Sequence, residues 1–156
     1  MSQMISQTTK LVVCSVPKDY NSAAGTIEYI SMKTASRLRF IICTGAWAGG
    51  TAAVTLKQAI NVAGSSSAAL AFAEYWTGTG DTMTRTTATG NTFNLAAANT
   101  KYVIEVKADD LDVDNGKDCV ACIVATPGGN NDLYAVLAEV YDLRHEGSGA
   151  PTTITD

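Results

Sequence analysis

Apolar and polar residues alternate with a period of two along much of the chain, the signature of strands with one face buried. Over residues 53–62, Val54, Leu56, Ile60 and Val62 fall on one side and Thr55, Lys57 and Asn61 on the other. Over 37–44, Leu38, Phe40 and Ile42 oppose Arg37, Arg39 and Ile41, and over 101–107, Tyr102, Ile104 and Val106 oppose Val103, Glu105 and Lys107. The same reading predicts strands over 11–16 (ended by Pro17), 26–32, 70–77 and 133–144. Residues 119–125 are apolar throughout, which predicts a strand covered on both faces. The Thr-rich run 82–89 predicts a solvent-facing strand.

Small and turn-forming residues punctuate these runs at 45–50, 64–69, 78–81, 90–91 and 127–132, and residues 93–99 read as a short helix or a loop. About eight to ten short strands separated by such signals predict an all-β antiparallel β-sandwich, jelly-roll-like, with at most one or two short helical turns. Residues 1–10 read as a polar N-terminal arm, 11–146 as a single sandwich domain and 147–156 as a C-terminal tail.

Composition adds a surface argument. Of 156 residues, 46% are hydrophobic and 17% charged, against about 25% charged in typical soluble domains. A surface so poor in charge favours an oligomer, or a chain docked on something larger. The formal net charge is −4 with scattered Lys and Arg, which argues against direct nucleic-acid binding. No apolar run approaches the roughly 20 residues of a membrane span. The apolar run 11–16 is too short for a signal-peptide core, so synthesis in the cytosol is expected.

Residue types capable of chemistry are few. Cys14, Cys43, Cys119 and Cys122 include one CxxC, with no second pair and no partner histidine, so buried free thiols are expected rather than zinc or redox chemistry. The acidic run 109–118 invites a calcium reading, but its glycine falls one place late and Ala121 stands where an EF-hand needs glutamate. Leu111 and Val113 are instead expected to tuck under the sandwich while the acids face water. His145, the single histidine, lies between Arg144 and Glu146 with no nucleophile motif to serve. Glu28, Glu74, Glu105 and Glu139 stand on predicted strands as outward-facing acids, with no sequence sign of a glycosidase pair. No catalytic residue, cofactor or metal is therefore expected. Trp47, in a glycine-rich loop, and Trp76 are the aromatic candidates for stacking on a sugar or anchoring a protein neighbour.

The phrases Thr55-Leu56-Lys57-Gln58-Ala59-Ile60-Asn61-Val62-Ala63-Gly64, Tyr102-Val103-Ile104-Glu105-Val106-Lys107-Ala108-Asp109-Asp110-Leu111-Asp112-Val113 and Gly116-Lys117-Asp118-Cys119-Val120 resemble small virion structural proteins of tailed bacteriophages, some of which decorate or cement the capsid. That resemblance implies a non-enzymatic protein, made in the host cytoplasm and placed on the capsid surface of the virion. Its partners would be the major capsid protein and further copies of itself as a dimer or trimer. The interface candidates are Trp47 and Trp76 with the arm and tail residues Met1, Lys10, Pro151 and Asp156. A tail or baseplate component, or a carbohydrate-binding β-sandwich module, are the alternative readings.

Overall fold

A computed structural model of the chain describes residues 8–143. Eleven strands follow in order: β1 (Lys10–Asp19), β2 (Ile30–Ser31), β3 (Ala35–Trp47), β4 (Ala52–Ala59), β5 (Ala68–Ala69), β6 (Glu74–Gly78), β7 (Thr84–Thr87), β8 (Thr92–Leu95), β9 (Lys101–Lys107), β10 (Cys119–Val124) and β11 (Asp132–Leu143). They form two antiparallel sheets packed face to face, a β-sandwich, as the alternation predicts. The larger sheet runs β1-β11-β3-β9-β6-β7. The smaller runs β2-β10-β4-β5, with β8 also paired to β4. Most successive strands lie in different sheets, so the chain repeatedly crosses the core.

Leu38, Phe40 and Ile42 of β3, Ile104 of β9 and Val136, Ala138 and Val140 of β11 meet Val54 and Leu56 of β4 and Val120 and Val124 of β10 across the interior. Each such side chain contributes about 1.5–3 kcal/mol by leaving water. One end of the core is aromatic: Phe93 stacks on Tyr75 at 4.1 Å between centroids and lies 5.6 Å from Tyr102. At another, Tyr20 stacks on Tyr134 at 4.1 Å.

Several elements depart from expectation, each for a physical reason. β1 continues through Pro17 because β11 is its only strand neighbour among the described residues, and a proline N–H is not needed on a sheet edge. Its ladder to β11 shifts register between Val13 and Ser15 and again between Ser15 and Lys18. β3 runs past Gly45 to Trp47 because Thr44 and Trp47 still pair with Tyr134 and Asp132. The predicted strand 26–32 shrinks to Ile30–Ser31; Ile27 is exposed while Ile30, Ser31 and Met32 are buried. Residues 92–95 form β8 rather than a helix, with Phe93 and Leu95 inward and Asn94 outward. β4 stops at Ala59, leaving Ile60 and Val62 exposed.

The acidic connection folds into two 3-10 turns, Ala108–Asp110 and Val113–Asn115, closed by Gly116 in the left-handed region at φ 71°. Leu111 is buried beneath them as expected, but Val113 is exposed.

Candidate assembly surface

On the outward face of the larger sheet the register places like residues side by side. Val13 of β1 stands opposite Leu137 of β11, Leu137 opposite Ile41 of β3, Ile41 opposite Val103 of β9, and Val103 opposite Trp76 of β6. Strands lie about 4.8 Å apart, so this apolar row spans about 19 Å. Its inner members are half-exposed, and Val13 is 54% exposed. The row ends at Arg85 of β7, which pairs with Trp76 and makes an ion pair with Glu74.

One neighbouring rung is mostly charged and the other is mixed. On one side Leu11, Glu139, Arg39 and Glu105 line up across β1, β11, β3 and β9. The Arg39 guanidinium donates to Glu139 Oε2 at 2.5 Å from Nε and lies 6.0 Å from the Tyr141 ring. On the other side are Ala135, Cys43, Lys101 and Gly78. The face thus carries an apolar band bordered on one side by charge, an arrangement compatible with a protein docking patch.

A second feature adjoins Trp76. β6 pairs with β9 only from Lys101 to Val103, after which the two diverge. Segment 70–74 is drawn away by the bonds from Leu70 N–H to Leu56 C=O, Phe72 N–H to Gly90 C=O and Ala88 N–H to Ala73 C=O. The gap is a cleft of about 520 Å³, with Leu56, Leu70 and Phe72 among its apolar lining and Glu74, Glu105, Lys107 and Asp110 as its charged groups.

The two tryptophans occupy different places. Trp76 lines this cleft, whereas Trp47 packs against the core at the end of the β3–β11 ladder and donates its Nε1–H to Gly50 C=O at 3.2 Å. Lys10 is the first residue of β1, opposite Val140. Met1, Pro151, Asp156 and His145 lie outside the described residues. Sequence reasoning singled out Trp76 but missed the row it completes: Val13, Leu137, Ile41 and Val103 sit on four strands distant in sequence, and only the register joins them.

Cys14, Cys119 and Cys122 are buried and in no disulfide, with the Cys119 thiol donating to Asp118 Oδ1 at 3.1 Å, but Cys43, expected to be buried, is exposed because its position in β3 points outward. Burial, with a smaller push from Glu28, raises the Cys14 thiol to about 12, and burial likewise raises Cys122. In the acidic connection, Asp110 Oδ2 accepts the Lys107 N–H at 3.0 Å and Asp112 Oδ2 accepts from Asn115 Nδ2 at 2.8 Å. Among the described residues no three His, Cys, Asp or Glu side chains are gathered to hold a metal ion, and no helix is long and apolar enough to cross a membrane. Comparison with protein-family models, with curated proteins and with solved structures gives no match.

Proposed function

We propose that this chain is a non-enzymatic virion structural protein that binds the assembled capsid of a tailed phage as a decoration or cement protein, with the major capsid protein and further copies of itself as partners. The observation that carries the reading is the Val13-Leu137-Ile41-Val103-Trp76 row, a partly exposed apolar band across five strands on the outward face of the larger sheet. Such a band loses free energy in water and regains it when a partner covers it, and a stable interface needs about 800 Å² from each side. A face five strands wide has that scale. The charged rung beside it gives a partner register and selectivity. The resemblance of the strand-and-turn phrases to phage virion proteins is what suggests the particle.

The test is the copy number of the chain in purified phage particles, measured by quantitative mass spectrometry against the major capsid protein. A ratio near one or a simple fraction supports decoration, and a few copies per particle assigns the chain to the tail or baseplate. Absence from the particle rejects both. The double variant Leu137→Asp, Val103→Asp should lose particle occupancy while retaining its fold by circular dichroism.

One observation favours a second reading. Trp76 borders a cleft carrying Glu74, Glu105 and Asp110, and an aromatic ring beside carboxylates suits a sugar face with its hydroxyls. A carbohydrate-binding module would lose oligosaccharide affinity in Trp76→Ala and show no particle occupancy.

A further inference from the structure

The cleft beside Trp76 is a missing length of strand. Thr44 N–H donates to Thr100 C=O at 2.9 Å, and Thr100 N–H donates back to Thr44 Oγ1 at 2.9 Å, so residue 100 faces β3. Main-chain groups alternate sides along an antiparallel strand, so Tyr102, Ile104 and Val106 also face β3, while Lys101, Val103, Glu105 and Lys107 face β6. β6 takes up Lys101 and Val103 and then departs. Lys107 N–H is taken by Asp110 Oδ2. Glu105 N–H and C=O therefore face the gap where the β6 ladder has ended, while Lys107 C=O accepts the Asp110 N–H at the start of the first 3-10 turn.

We infer that this cleft accepts an extended peptide segment of a partner protein, which pairs with β9 at Glu105 and alternates apolar with basic side chains. Three features select that occupant. Glu105 offers a main-chain donor and acceptor in the geometry of a strand edge, which a peptide matches and a sugar does not. Side chains of an added strand point alternately to the two faces of the sheet, so one set enters the lining formed by Leu56, Leu70 and Phe72 and the other stands beside Glu74 and Glu105. The lining carries the carboxylates of Glu74, Glu105 and Asp110 against one ammonium, Lys107; Arg85, outside the lining, is paired with Glu74. The excess is acidic and favours arginine or lysine at the outward positions. The inference holds whichever assembly supplies the strand, so it stands apart from the phage reading.

The test is titration of the isotopically labelled full chain, followed by backbone amide NMR, with two capped pentapeptides, Arg-Val-Arg-Val-Arg and Glu-Val-Glu-Val-Glu. The basic peptide should shift Glu105 and the amides of Ala71, Phe72 and Ala73 saturably, with Kd of about 0.1–1 mM, and should slow hydrogen exchange at Glu105. The acidic peptide should bind at least about tenfold more weakly. Ala71→Trp, which fills the cleft from an exposed position, should abolish the response. Glu105→Lys, at an exposed position that leaves the core intact, should erase the preference for the basic peptide. Equal response to both peptides, a response that survives in Ala71→Trp, or none at several millimolar overturns the proposal. Chitohexaose shifting the Trp76 indole while neither peptide moves Glu105 overturns it in favour of a sugar.

Discussion

Asp132 and Trp47 face each other at the last rung of the β3–β11 ladder, and the fully buried Asp132 carboxylate reaches past that rung to accept the Ala48 N–H at 2.6 Å. The Gly49 N–H donates to the same oxygen at 3.4 Å. One side chain thereby holds the chain where β3 gives way to the glycine-rich turn. Asp132→Ala should cost about 1–2 kcal/mol in urea unfolding, because it removes the acceptor that holds the Ala48 and Gly49 N–H groups. Asp132→Asn keeps an acceptor oxygen and should lose less.

Tyr134 presents the opposite case. Its hydroxyl is buried without a hydrogen-bond partner, although its ring stacks on Tyr20. Tyr134→Phe should be neutral or stabilising by up to about 1 kcal/mol, since it removes an unsatisfied polar group and keeps the stack.

Burial pushes the Tyr134 phenol above its ordinary value of 10.0. A group raised in the folded state contributes its full stability below the unfolded value and loses it as pH rises. Stability should therefore fall above pH about 10, and Tyr134→Phe should flatten the fall. Chemical denaturation at stepped pH checks both.

The thiols should divide by face. A disulfide exchange reagent at neutral pH should titrate one thiol in the native chain and four after unfolding, since Cys43 is exposed and Cys14, Cys119 and Cys122 are buried. Cys43→Ser should abolish the native reaction. Because the Cys14 thiol is raised to about 12, it should stay inert at pH 9 in the folded chain.

Phe40→Ala, at a fully buried site, should cost about 3–5 kcal/mol. Ile41→Ala, one residue along on the outward face, should cost far less and instead weaken docking, as read by particle occupancy. The contrast separates the two faces of one strand.

The sandwich and β9 in full were legible because their apolar residues recur every second position, and β9 spans 101–107 as expected. β8 was missed because the alanines after Leu95 resemble a helix, although Phe93 and Leu95 alternate about Asn94 as in a strand. The exposure of Ile60, Val62 and Val113 was missed because period alone does not say where a sheet stops. Trp76 stood out in the sequence as a candidate anchor, but the row it ends required strand pairings between positions as distant as Val13 and Leu137. The cleft was invisible to sequence, since it arises where two paired strands part.

The proline and the two register shifts in β1 have a consequence for how the protein is stored before use. An outer strand that carries Leu11, Val13 and Val16 at the surface and was straight along its whole length would template the next copy, and that copy another, into fibres. Broken after Val13 and lacking an N–H at Pro17, this strand presents a partner with only a short regular stretch. Copies can then reach high concentration without polymerising through this margin.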